Sequence, residues 1–159
     1  MRRLFTIVLG VVLAICIFCK LENAPLFMEN EFQQYYKDFM KDAALLGVTP
    51  DFSLSLTYLS DDVDEGVGGY CLGKKYVVIS QQTWDYLDED GKKAILYHEW
   101  GHCILQRAHS TRVIEALNCP ASVMYPTIDP LENCFGYLKP WYILELFTNP
   151  WNDPLLYKK

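Results

Sequence analysis

The chain has 159 residues, 51% of them hydrophobic and 14% aromatic. That is enough for one compact domain with a real core, too little for two of ordinary size, and too apolar for a disordered chain; no internal repeat or low-complexity tract appears. A formal net charge of −6 argues against nucleic acid as a partner.

Taken from the N-terminus, Met1-Arg2-Arg3 is followed by LFTIVLGVVLAICIFC, sixteen residues from Leu4 to Cys19 in which only Thr6 is mildly polar. This reads as the n-region and h-region of a signal peptide, so residues 1–20 are expected to export the chain. They do so either as a cleaved leader or as an uncleaved N-terminal membrane anchor: no A-x-A site follows, and the run is slightly short of a comfortable span. Residues 21–159 are expected to form a single domain. Setting aside Arg2, Arg3 and Lys20 leaves 11 basic against 20 acidic side chains, a net −9. Four cysteines remain, Cys71, Cys103, Cys119 and Cys134, an even number that suits two disulfides in an oxidising compartment, with three pairings open. With no C-x-x-C pair, a four-cysteine zinc site is the weaker reading.

Phe32, Tyr36, Phe39, Met40 and Ala43 recur at helical intervals between Glu29 and Leu46, predicting an amphipathic helix that ends near Gly47 and Pro50. Phe52, Leu54, Leu56 and Tyr58 alternate with Ser53, Ser55 and Thr57 in a half-buried strand, and DDVDEGVGG follows as a solvated loop without calcium-loop spacing. GYCLGKKYVVIS predicts two short strands around Gly73-Lys74-Lys75, and a second helix is expected from about Gly91 to Leu105. After a connecting stretch to Cys119, Asp129-Pro130-Leu131-Glu132 offers the N-cap, N1 proline and N3 glutamate of a helix start. A last helical segment falls between Pro140 and Phe147, with Pro140 either beginning it or kinking its predecessor.

The second helix contains HEWGH, residues 98 to 102. His98 and His102, four residues apart, lie on one face about 6 Å apart along the axis, so both imidazoles can meet one ion. Glu99 is offset enough to miss the ion yet can reach a water bound to it and act as a general base. His109 is the remaining histidine of the chain and would complete three protein ligands, leaving a fourth position for water.

These residues resemble the metzincin metalloproteases, whose pattern is H-E-x-x-H-x-x-G-x-x-H followed by a methionine turn. His98, Glu99 and His102 match in place, and Ser122-Val123-Met124-Tyr125-Pro126 is similar to the S-x-M-x-P turn in its matrixin form. The strict match spans about thirty residues. The chain departs from the pattern at Leu105, where the family has glycine, and at Ala108, which puts the third histidine one residue late. A continuing helix would carry His109 about 10.5 Å beyond His102. The chain must therefore break and turn back, with Gln106 or Arg107 in a left-handed conformation at a cost of roughly 1 kcal/mol. The stretch also resembles a group of small exported bacterial metzincin-like proteins with H-E-x-G-H-C-x-L-x-R-x-H, which Cys103, Leu105, Arg107 and His109 fit.

The resemblance implies an α+β fold of zincin type, with a short mixed sheet, an active-site helix and a C-terminal helical subdomain. It implies Zn2+ on His98, His102 and His109, Glu99 as general base and then general acid, and Met124 in a hydrophobic floor. The substrate would be a peptide or protein, aligned by an edge strand for which Tyr76 to Ser80 and Gly69 to Leu72 are candidates. Pairing Cys119 with Cys134 would hold the methionine turn and leave Cys71 for Cys103. Three other readings stay open: a zinc-stabilised binding module without turnover, hydrolysis of a non-peptide amide, and a gluzincin-like site in which Glu115, Glu132 or Glu145 replaces His109.

Overall fold

The structure is a computed structural model that describes residues 28–50 and 56–150. The segment at 1–20 expected to export the chain and the first half of the strand expected at 52–58 lie outside these residues. Among the described residues the fold is α+β: a three-stranded mixed sheet, a two-stranded ribbon and four α-helices.

Helix α1 (Gln33–Leu45) follows a single 3-10 turn at Asn30–Phe32. Its apolar stripe is the one the spacing predicts: Phe32, Tyr36, Phe39, Met40 and Ala43 are all buried. It stops at Gly47, whose φ of +72° lets the Val48 amide donate back to the Ala43 carbonyl at 2.9 Å.

Strands β1 (Leu56–Ser60), β2 (Gly69–Leu72) and β3 (Tyr76–Ser80) form the sheet in the order β1-β3-β2, with β1 parallel and β2 antiparallel to β3. The turn between β2 and β3 has Gly73 and Lys74 both at positive φ, the backbone twist that tight hairpins favour. Because β3 is central, Tyr76 to Ser80 cannot be the substrate-aligning edge; its ladder bonds are taken on both sides, and Val77, Val78 and Ile79 are buried. Of the two candidates only Gly69 to Leu72 lies at an edge.

A six-residue helix absent from the sequence reading, α2 (Gln81–Tyr86), starts where the Ser80 hydroxyl accepts the Thr83 amide. It is too short to show a helical period, but it buries Trp84. Helix α3 (Glu89–Cys103) begins two residues before Gly91, because the Asp88 carboxylate accepts the Gly91 amide at 2.9 Å and caps the first turn. This helix runs through the middle of the molecule, buried on nearly every side from Ala94 to Gly101. Trp100 bonds Thr57 of β1 at 3.1 Å, and Phe39 meets the rings of Tyr97, Trp100 and Phe147 edge-on or tilted at 4.8 to 5.3 Å.

Beyond α3 the chain makes a two-residue ribbon, β4 (Val113–Ile114) with β5 (Cys119–Pro120), then helix α4 (Asp129–Thr148). Asp129 is not the N-cap: the helix begins one position earlier than expected, Ile128 occupies the cap, and the Glu132 amide bonds the Ile128 carbonyl. Pro140 neither starts a helix nor divides one, and α4 runs on through it. The carbonyl that loses its donor belongs to Gly136, which is exposed to water and has no side chain to crowd the ring. Disulfides join Cys71 to Cys103 and Cys119 to Cys134, the pairing anticipated. The first ties edge strand β2 to the end of α3. Two disulfides suit a compartment other than a reducing cytoplasm. Among the described residues no helix is long and apolar enough to cross a membrane.

Candidate metal site

His98 and His102 project from α3 on one face, and His109 returns to them from the following loop. The turn is made at Gln106, with φ of +54°, and is closed by the Arg107 amide donating to the Gly101 carbonyl six residues back at 3.0 Å. One extra residue thus widens the bend, and a non-glycine residue accepts the left-handed conformation. The Gln106 side chain, on the exposed side, receives a hydrogen bond from Lys74 Nζ at 2.9 Å.

The three imidazoles converge on one point. His98 Nε2 lies 3.1 Å from His102 Nε2 and 3.2 Å from His109 Nε2, and the ring centroids are 4.7 to 5.1 Å apart. Two of the rings are aimed by backbone carbonyls. His98 Nδ1 donates to Val123 O at 2.8 Å, and His102 Nδ1 donates to Arg107 O at 2.7 Å. A carbonyl only accepts, so in each neutral ring the proton sits on Nδ1 and Nε2 presents a lone pair. Burial, reinforced by the neighbouring histidines, pulls the His98 pKa down to about 4, and burial lowers that of His109 as well. Lone pairs facing one another at 3.1 Å repel unless a cation lies between them. The donor set fits a metal ion, and His98, His102 and His109 can hold one.

Glu99 is 5% exposed, and its Oε2 has no hydrogen-bond partner. Burial pushes its carboxyl up to about 8. The strand β2 passes close above it: a Cβ on Gly69 would lie 3.3 Å from Glu99 Cγ and 2.8 Å from the Val78 carbonyl. Only glycine fits there. The GVGG run before β2 held that signal, since glycine inside a strand marks close approach of another group.

Beneath the histidines, Ser122 to Tyr125 forms a turn closed by the Tyr125 amide on the Ser122 carbonyl. Met124 is fully buried, and a Cβ on Gly101 would come within 2.5 Å of its Sδ. Gly101, between His98 and His102 in sequence, therefore lets the methionine seat directly against α3. Glu145, one of three carboxylates considered as a substitute ligand, is instead bound to Arg107 and to Ser122, and is wholly buried. Neither Glu115 nor Glu132 joins the histidine group either.

His98, Glu99, His102 and His109 line a cleft of about 610 Å³ together with Gly66 to Cys71 and Tyr125 to Asp129. Ile95 and Leu131 supply an apolar recess. No family model, curated protein or solved structure matches this chain.

Proposed function

We propose that the chain is an exported zinc-dependent peptidase of metzincin type, with His98, His102 and His109 as ligands and Glu99 as the catalytic acid and base. The observation behind this reading is the pairing, in one cleft, of three converging Nε2 atoms, two of them presenting lone pairs, with a buried carboxyl group that has one oxygen without a hydrogen-bond partner. Nitrogens bound tetrahedrally at the usual zinc distance of 2.0–2.1 Å stand about 3.3 Å apart. The separations of 3.1 and 3.2 Å need only a small adjustment to meet that spacing.

Bound zinc supplies Lewis acidity, which lowers the pKa of water towards about 7 and polarises a peptide carbonyl. The chain does the rest. In its ionised form, Glu99 takes the proton from the attacking water on Oε2 and hands it to the leaving amine. The Val123 and Arg107 carbonyls hold the ligand rings in register, so no reorganisation is needed as the reaction proceeds. The exposed edge of β2 pairs its amides and carbonyls with an extended peptide laid along the cleft. Two disulfides are consistent with export.

Digestion of a broad peptide library by the zinc-loaded chain tests the reading. Turnover should be abolished by a chelator and should fall roughly 10²-fold or more in Glu99→Gln, with zinc retained. A parent that holds zinc and cleaves nothing would be a binding module.

A further inference from the structure

The two carbonyls that aim His98 and His102 belong to different loops, and one side chain holds both loops. Glu145, in the last turn of α4, is 0% exposed. Its Oε1 receives Arg107 Nη2 at 2.5 Å, and its Oε2 receives the Ser122 hydroxyl at 2.6 Å. The other guanidinium nitrogen of Arg107, Nη1, donates to the carbonyls of Glu145 and Leu146 at 2.8 and 2.5 Å, capping the end of α4. Arg107 is thereby clamped on the turn whose own carbonyl receives His102 Nδ1. Ser122 Oγ in turn accepts the Met124 amide at 3.0 Å, which sets the turn whose Val123 carbonyl receives His98 Nδ1.

A buried ion pair of this kind is weak evidence for stability, because removing two charges from water offsets much of their attraction. What it does provide is direction: a planar guanidinium gripped at three oxygens has one orientation. We infer that Glu145 is a positioning residue for the metal site, fixing the His102 ring through Arg107 with one carboxylate oxygen and the His98 ring through Ser122 with the other. This rests on the metal-site reading above.

Full-length parent, Glu145→Gln, Arg107→Lys and the charge-free pair Arg107→Met/Glu145→Leu are titrated with zinc against a chromophoric chelator, and their melting is recorded without metal. Each variant should bind zinc roughly 10- to 100-fold more weakly. The charge-free pair should do so while melting no lower than Glu145→Gln, because it leaves no buried charge unpaired, although the Ser122 hydroxyl and the end carbonyls of α4 lose their partners in it. Imidazole nitrogen shifts of the metal-free chains add a second readout. The parent should hold the Nδ1-protonated form at His98 and His102, and Glu145→Gln should mix in the other form. Parental zinc affinity in all variants overturns the positioning role. A charge-free pair that recovers both melting and affinity assigns the network to folding alone and overturns it too. A parent that binds no zinc overturns the metal site itself, an outcome distinct from either.

Discussion

The amide of Ser110 donates to the carbonyl of Met124 at 2.9 Å, fastening the residue after His109 to the turn beneath the metal site. His109 is thus a tethered group, although it is more exposed than His98 or His102. His109→Ala should lower zinc affinity sharply while changing the stability of the metal-free chain by about 0.5 kcal/mol or less, as expected of an exposed side chain. Competition titration and chemical denaturation read the two quantities separately. Undiminished affinity would defeat the three-histidine site.

Gly101→Ala places a methyl 2.5 Å from Met124 Sδ and 3.1 Å from Leu146 Cδ1, so these two buried side-chain ends must shift to admit it. Overpacking of this kind costs about 1–3 kcal/mol. Met124→Ala removes the obstructing atoms, so the double variant should be less destabilised than the two single changes added together, with a coupling of at least about 0.5 kcal/mol. Strict additivity in urea denaturation would show that the two residues do not meet.

Gln106→Gly removes the left-handed strain at φ +54° and forfeits only the exposed bond from Lys74. The net effect should be a gain of up to about 1 kcal/mol, with zinc affinity unchanged. A β-branched residue in the same place should do the opposite, so Gln106→Val is expected to destabilise by more than about 1 kcal/mol. The pair of midpoints in denaturant checks the sign at both ends.

Replacing Cys71 and Cys103 together by alanine opens a loop with a sequence separation of 32, which constrains the unfolded chain by about 3–4 kcal/mol. The same change at Cys119 and Cys134, separated by 15, should cost about 3 kcal/mol. The two losses are similar, but their effects on the site should differ. Only the first frees edge strand β2 from α3, so under the proposed peptidase function it should raise KM for peptide hydrolysis beyond what its stability change explains.

The parts of the molecule legible in the sequence are those that one local rule decides. The stripe from Phe32 to Ala43 announces its helix, and H-E-x-x-H announces its own geometry, because four helical residues bring two side chains to one face. Even the left-handed turn near Gln106 followed from counting residues between His102 and His109. What stayed hidden depends on partners distant in the chain. Tyr76 to Ser80 and Gly69 to Leu72 look alike as strands; only the parallel pairing of β3 with β1 makes one central and the other an edge. Asp129 had the chemistry of a cap but sits one position inside the helix. Glu145 has nothing around it in sequence to announce a partner, and the side chains it binds lie 23 and 38 positions away.

All three ligands fall within residues 98–109, whereas the groups that aim two of them lie at 107, 123 and 145. During synthesis the histidines therefore leave the ribosome before the side chain that orients their rings. On the inference drawn above, a chain halted ahead of α4 has its three histidines and lacks their alignment, so competence for a metal would arrive with the docking of α4. For the peptidase proposed above this would be a safeguard built into chain order: the rings of the site are aligned only after α4 has been made.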